Sequence, residues 1–354
     1  MGAFDSNSGK VGETHFKELL LGSLGAARPE LICGPMFGVD TSVVDIGGGQ
    51  ALAISSDPLS LIPTLGMKVS AWLSVHLIAN DMATTGFAPQ YAQFVLNLPA
   101  SLSKDDFASY WHHIHEQCKR NNIAITGGHT GQIPGQESTI AGGGTMFLNA
   151  PLNQILTSNK ALPGDSIIMT KSAAISSSSL LSLAFPETVV NRCGKEVQLA
   201  AVENFWQLSV LKEALVASSV LVPHQDLHAM HDVTEGGILG AIYEMANASG
   251  CGFEVEINKT AVREEVQAVC NLFEIDPLES IGAGSMIISV KNGSEEKLIN
   301  ALRVNGIDAH VIGQFVDKSK YDLIDANGRK STYVYTGIDP YWEAFFKSLK
   351  QGWQ

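Results

Sequence analysis

The residues best suited to chemistry fall in four short stretches. In Gly34–Asp81, acids recur at Asp40, Asp45, Asp57 and Asp81, each beside a turn signal or at the end of an apolar segment. Carboxylates gathered on loop ends with glycines beside them suit Mg²⁺ and polyphosphate, since hard cations take oxygen ligands and glycines let the backbone come close. A second concentration is His231-Asp232-Val233-Thr234-Glu235-Gly236-Gly237, preceded by His224 and His228. Thr234 or Asp232 suits the N-cap of the apolar helix that follows, and a helix start with two glycines is a natural anion site. Capping alone would explain one Asp or Thr. It does not explain His, Asp, Glu and two glycines together. The third stretch is Gly9-Lys10 within the small, polar residues 1–14, which reads either as a disordered tail or as a mobile flap that closes on phosphate. The fourth, Gly127-Gly128-His129-Thr130, reads as a turn whose glycines permit close approach to a ligand.

Bulk composition narrows the classes. The chain has 354 residues, 45% hydrophobic and 17% charged, enough for two domains with a sizeable core. Its net charge of −13 opposes sequence-independent nucleic-acid binding, which needs a basic surface, but not nucleotide binding bridged by Mg²⁺. No apolar run reaches the roughly 18 residues of a membrane span, and the polar start lacks a signal-peptide centre, so a cytoplasmic location without membrane contact is expected. Cys33, Cys118, Cys193, Cys251 and Cys270 are scattered with no CxxC pair, which argues for buried thiols over disulfides or zinc. His112, His113 and His115 splay around a helix instead of sharing a face, so they read as surface or packing residues.

The elements that must position these residues follow from periodicity and breakers. His15–Leu24 suits a short helix. Ser42–Ile46 and Ala51–Ser56 suit strands across Gly47-Gly48-Gly49, which would put Asp40 and Asp57 near one end of a hairpin. Lys68–Gly86 is helical, with Asn80-Asp81 inside a largely apolar face where an unpaired carboxylate would be costly. Strand 90–98, helix 104–121, strand 123–126 and strand 139–149 follow. A domain boundary falls near 155/156, before the turn Pro163-Gly164-Asp165. Beyond it, strand 166–170 leads to Ser176–Ser179, read as a loop opening a helix. Next come helix 200–218, helix 238–248 and alternating strands and helices to Phe315, with an aromatic-rich helix from Tyr341.

Taken in order, these motifs resemble the PurM-like, or aminoimidazole ribonucleotide (AIR) synthase-related, superfamily, nearest to its HypE-like hydrogenase maturation branch. The carriers are Gly9-Lys10, Gly34-Pro35…Gly38-Val39-Asp40-Thr41-Ser42, Ser56-Asp57-Pro58, Asn80-Asp81-Met82-Ala83…Gly86…Pro89, Gly127-Gly128-His129-Thr130, Pro163-Gly164-Asp165 and His231–Gly237. The resemblance implies an α+β fold of two domains, 1–155 and 156–354. The first would be a β-sheet domain pairing with a second subunit into a dimer barrel, the second an α/β sandwich covering the cleft. It implies an ATP- and Mg²⁺-dependent enzyme that transfers phosphate to a small-molecule oxygen. Asp40, Asp57, Asp81 and Asp232 would hold metal. Lys10, Asp57, Asn80, Asp81, Gly127, Gly128, His129 and Thr130 would line the nucleotide. Lys10, His231 and Glu235 would serve catalysis or substrate contact.

Three departures from the family pattern bear on this. Val39 stands where relatives often place an acid. His129 stands where they often have Asp or Glu, and a neutral imidazole is a poor Mg²⁺ ligand. The chain ends Lys350-Gln351-Gly352-Trp353-Gln354 with its last cysteine at Cys270, so the self-modifying dehydration of the hydrogenase branch is not expected. Nor is there a cysteine in residues 1–14 for the selenophosphate chemistry. If Val39 and His129 cost the site its metal, the chain would instead be a non-catalytic nucleotide-binding scaffold in a maturation complex.

Overall fold

The computed structural model describes residues 9–317 and 320–354, so the tail reading of residues 1–8 lies outside the described residues. The chain opens with α1 (Glu13–His15), continued by a wider turn over Phe16–Leu20. Strands β1 (Leu31–Cys33), β2 (Ser42–Gly47) and β3 (Gln50–Ser60), helix α2 (Met67–Ala83), strand β4 (Tyr91–Pro99), helix α3 (Lys104–Arg120), and strands β5 (Ala124–Ile133) and β6 (Ile140–Pro151) follow. The strands form an open six-stranded sheet, β1-β2-β3-β6-β4-β5, antiparallel except at β4–β5, which α3 joins. Alternation sends Ala51, Ala53, Phe94, Leu96, Met146 and Leu148 to a core shared with Ala71, Val75, Ile78 and Met82 of α2 and with Tyr110 and Ile114 of α3. Alpha helix 2 is apolar nearly all round because it is covered on most sides, and Asp81 near its end is only partly exposed.

The remaining elements are β7 (Ser166–Thr170), α4 (Ile175–Ala184), α5 (Pro186–Cys193), α6 (Lys195–Glu203), α7 (Leu211–Val220), β8 (Leu227–Asp232), α8 (Gly237–Ser249), β9 (Gly252–Glu256), α9 (Glu264–Phe273), β10 (Met286–Val290), α10 (Glu295–Val304), β11 (Ala309–Val316), β12 (Tyr321–Ile324), β13 (Lys330–Thr332) and α11 (Pro340–Lys350). The second sheet has seven strands, β13-β12-β9-β11-β7-β10-β8. Ile167 and Met169 face the core that includes α8, while Ile168 faces that of α7 and α10, so its central strands are buried on both sides and read as continuous apolar runs. The Pro163-Gly164-Asp165 turn is structural: Asp165 accepts from the Leu162 N–H (2.9 Å), the Ser289 hydroxyl (2.6 Å) and His228 Nδ1 (2.8 Å).

Four sequence expectations are corrected. The 127–130 segment is not a turn but the middle of β5, since β4 pairs with it from Tyr91 to Pro99. Strand β3 does not stop at Ser56 but runs through Asp57-Pro58, paired to Gly144 and Gly143. The serine run lies inside α4 and is buried, because its hydroxyls donate to carbonyls: Ser176 and Ser177 to Ile281, Ser178 to Ile175, Ser179 to Ser176. Helix 200–218 is broken at 204–210. The carbonyls of Gln207 and Ser209 accept from Lys171 Nζ (both 2.8 Å) and that of Leu208 accepts from Asn80, so they are turned away from a helical ladder.

His76 gives a test of the first core. Its ring stacks on Trp72 at 3.9 Å, Nε2 faces Gln117 Oε1 at 3.2 Å, and the buried Nδ1 has no hydrogen-bond partner. Burial pushes its pKa down to about 4, against the Gln117 bond. The unfolded chain therefore takes up a proton first, so stability falls as pH drops below about 6.5 and levels off below about 4. Relative to His76→Phe, the wild type should lose about 3 kcal/mol over that window in urea unfolding. Parallel pH profiles would refute this.

Candidate functional site

The predicted acids do meet, at the junction of the two sheets. The β2–β3 register pairs Ser42 with Ile54, which puts Asp40 level with Ser56 and next to Asp57. Asp81 enters from α2 and Asp232 from the end of β8. Single atoms of Asp40, His231 and Asp232 lie within 4.8 Å of one another. Ser158 and Ser55 hydroxyls orient two of the acids, donating to Asp40 Oδ2 and Asp81 Oδ2 at 2.7 Å each.

The local backbone explains the glycines nearby. Gly38 has φ +78°, and a Cβ there would sit 2.5 Å from the Glu244 carbonyl, so the loop carrying Asp40 can pass α8 only as glycine. Gly237 has φ +63°, and a Cβ there would meet the Leu278 carbonyl at 2.5 Å. Val39 packs against the first core and offers no ligand atom.

The electrostatics divide the site in two. Glu244 of α8, which is buried, faces both cations: Lys10 Nζ at 3.3 Å and His231 Nε2 at 3.3 Å. Burial works against its charge, but Lys10 and His231 outweigh it and hold its pKa down at about 2. For His231, burial opposes protonation, yet Asp40, Glu244 and Asp232 push the pKa up to about 9. Its Nδ1 lies 2.6 Å from the Asp232 carbonyl and 3.4 Å from Asp40 Oδ2, and its Nε2 stands 3.3 Å from Glu244, so the raised pKa favours a charged ring that serves as a buried counter-ion to Asp40 and Glu244. Partial burial works against the charge of Lys10, but Glu244 and Asp40 hold its pKa above the ordinary value.

The aspartates lack such compensation. Burial and then Asp40 push Asp232 up to about 8. Burial, Asp232, Asp57 and Asp40 raise Asp81 well above its usual range. Burial pushes Asp57 to about 6, aided by Glu235 and opposed by Lys10. Burial raises Asp40 too, in spite of His231. Asp232 Oδ1 is buried without a hydrogen-bond partner. Crowded carboxylates with an orphaned oxygen fit a hard divalent cation such as Mg²⁺, with Asp40, Asp57, Asp81 and Asp232 as the oxygen donors.

Other predicted residues stand elsewhere. Asn80 is buried and spends its amide across the domain junction, donating to the Leu208 carbonyl (2.8 Å) and accepting from the Val210 N–H (2.9 Å), so it clamps the domains and is not free to line a nucleotide. The register Asp57–Gly144–Phe94–Gly128 sets Gly128 three strands from Asp57, about 14 Å at ~4.8 Å per strand. Gly127, Gly128, His129 and Thr130 are exposed there, and a Cβ on Gly128 would lie 1.8 Å from the Phe94 carbonyl. Neither Thr234 nor Asp232 caps α8. No side chain caps it: Asp339 Oδ2 accepts from the N–H of the preceding Gly236 (2.8 Å), and the Gly237 and Leu239 N–H groups are taken by the Thr234 and Leu278 carbonyls (3.2 and 3.1 Å), so this helix start is not an open anion site. Glu235 Oε2 accepts from the Lys10 N–H (2.5 Å), and Oε1 from Trp342 Nε1 (3.0 Å). Glu244, Asp339 and Trp342 were not anticipated. Glu244 carried a signal, as the lone acid in the apolar run Ile238–Ala248, where it needs a partner.

Comparison with known proteins bears on the family and the fold. The family model "AIR synthase related protein, N-terminal domain" matches residues 38–147, and its C-terminal counterpart matches 163–326. The chain is 24% identical over 308 residues to the carbamoyl dehydratase HypE of Escherichia coli K12, covering 83% of this chain and 85% of HypE. Among solved structures, the hydrogenase maturation protein HypE in complex with ATP superposes with a TM-score of 0.67 at 20% identity, covering 93% of each chain. A ThiL protein complexed with AMPPCP and TMP gives 0.65 at 16% identity, covering 84% of this chain and 90% of that one.

Glu244→Gln tests the neutralised half. Because the folded pKa is depressed, the carboxylate contributes stability above about pH 4.5 that is lost as pH falls toward 2. The variant should be about 3 kcal/mol less stable than wild type at pH 7, with the gap closing at low pH in guanidinium unfolding. A gap that ignores pH would remove Glu244 from the ion-pair role.

Proposed function

The chain belongs to the AIR synthase-related proteins, and from that premise we propose that it is an ATP- and Mg²⁺-dependent enzyme that transfers phosphate to an oxygen of a small molecule. That transfer either activates an amide or carboxylate or is of kinase type. The observation that carries this reading is the under-compensated cluster Asp40–Asp57–Asp81–Asp232, with its orphaned Asp232 oxygen, beside a half-exposed Lys10. Such a group of acids repels a polyphosphate unless cations stand between them. Mg²⁺, when bound, would supply charge neutralisation on the phosphate oxygens and hold them in line for displacement.

The protein's own residues then have distinct tasks. Asp40, Asp57, Asp81 and Asp232 hold the metal. Ser158 and Ser55 fix two of these carboxylates so that little reorganisation is needed on binding. Lys10, half-exposed beside Glu244, neutralises phosphate charge. His231 stands between Asp40 and Glu244 and offsets their mutual repulsion. The chemistry therefore rests on positioning and charge, as phosphoryl transfer requires.

A homodimer belongs to the same proposal. The face of the first sheet turned away from α2 and α3 carries Ile46, Tyr91 and Val95, with Tyr91 stacked on Phe147 at 5.3 Å, a partly exposed apolar surface of the kind an isologous interface covers. Among the described residues, no helix is long and apolar enough to cross a membrane.

A scaffold reading draws on Val39 and His129, but the retained aspartates favour the enzyme. Titration calorimetry separates the two. Mg·ATP should bind to the wild type at sub-millimolar concentration, and Asp57→Asn should weaken that binding at least ~10-fold through loss of a charged ligand. No binding at millimolar nucleotide would sink the enzyme reading, and an unchanged Asp57→Asn would refute the placement of the site.

A further inference from the structure

The segment after β13 lies beyond the family-matched residues, which end at 326, yet three of its side chains reach the site. The Tyr335 ring lies over the first turn of α8, where a Cβ on Gly236 would meet it at 3.5 Å, and its hydroxyl is 3.4 Å from Glu244 Oε1. Asp339 ties two helix starts together, taking the Gly236 N–H at 2.8 Å and the Tyr341 N–H at 2.9 Å. Trp342 Nε1–H donates to Glu235 Oε1 at 3.0 Å, while Glu235 Oε2 takes the backbone N–H of Lys10.

These contacts form one line from the C-terminal helix to the N-terminal arm. A carboxylate held at one oxygen by an indole has the other oxygen aimed, and the aimed oxygen holds the Lys10 backbone. The arm fits closely only because residue 9 is glycine. Its φ is +91°, and a Cβ there would lie 3.3 Å from Glu235 Oε1 and 3.4 Å from Trp342 Nε1. Glu13 fixes the next stretch of arm, accepting from the Tyr243 hydroxyl (2.9 Å) and Asn247 Nδ2 (2.8 Å). Lys10 is thus held by its backbone on one side and through Nζ by Glu244 on the other.

We propose that Trp342 is a positioning residue, orienting Glu235 so that Glu235 fixes the backbone of Lys10 and keeps its ammonium beside the acidic cluster. The proposal rests on the reading of Lys10 as the group that neutralises phosphate. Trp342→Phe keeps an aromatic ring in place and removes the N–H donor. In the folded variant, amide exchange at Lys10 should quicken about tenfold, and Mg·ATP affinity should fall by a similar factor. In a Lys10→Met background, Trp342→Phe should leave affinity unchanged, since the two act through one group. Glu235→Ala, with the indole left in place, should quicken the same amide and serves where Trp342→Phe does not fold. Unchanged exchange at Lys10 would overturn the positioning role. An affinity loss that persists without Lys10 would overturn its link to the nucleotide. If the wild type binds no Mg·ATP, the functional reading fails, whereas the exchange measurement still decides whether Trp342 holds the arm.

Discussion

The structure depends on a charge imbalance at the junction of its two sheets. Asp40, Asp57, Asp81, Asp232 and Glu244 are drawn into one largely water-excluded region, where each charge is costly and each neighbour of like sign raises the cost. The protein resolves half of this internally. Glu244 sits between Lys10 and His231, and its depressed pKa records that it is more than compensated. The aspartates on the other side are left short of positive charge, and their raised pKa values record that. A site can be stable without ligand and still attract cations only if the two conditions are separated in space. Here α8 carries the neutralised acid, while the loop before β2, β3, α2 and the end of β8 carry the aspartates that are short of positive charge.

Such a site needs its walls fixed relative to one another, since its acids come from both domains. Polar side chains do this at the backbone level. Asn80 of α2 takes both a donor and an acceptor from the Leu208–Val210 loop, and Ser158 ties the domain connection to Asp40. Lys171 holds the same loop from the other side, pairing with the buried Glu213 while donating to Gln207 and Ser209 carbonyls. Burial drives the pKa of Lys171 down even with Glu213 beside it, so this ammonium is held by its oxygen contacts at real electrostatic expense. Buried amides and ammoniums satisfied by loop carbonyls specify a single relative placement in a way that an apolar interface would not.

Periodicity revealed the central strands of both sheets and most helices, because burial patterns of period two and 3.6 survive in a single sequence, but it missed the short edge strands β1, β12 and β13 and the strand β8 that carries His231 and Asp232. Acids beside glycines at element ends drew attention to Asp40, Asp45, Asp57, Asp81 and Asp232, and it was the match to the family's ordered motifs that narrowed these to Asp40, Asp57, Asp81 and Asp232. What could not be read was set by contacts distant in sequence. The break at 204–210 depends on Lys171 and Asn80 capturing carbonyls. The buried serines of α4 depend on the Ile281 carbonyl. The Gly127–Thr130 stretch looked like a turn because glycines end strands more often than they fill them, and only the pairing partner β4 reveals the strand. That His231 sits among Asp40, Asp232 and Glu244 could not be read from its motif, because Asp40 and Glu244 are distant from it in sequence.

The contacts at the start of α8 bear on where phosphate could approach. Two glycines at a helix start invite the view that backbone N–H groups receive an anion there. In this chain the Gly236 N–H is already taken by Asp339, whose own pKa burial pushes up to about 6, against the hydrogen bonds it accepts from Gly236 and Tyr341. A phosphate at that position would have to displace a carboxylate that is tied to α11 as well. On the proposed reading phosphate would instead approach over the aspartates, past Lys10, where divalent cations would supply the positive charge that a helix start supplies elsewhere and Lys10, the half-exposed cation beside Glu244, would add the protein's own share.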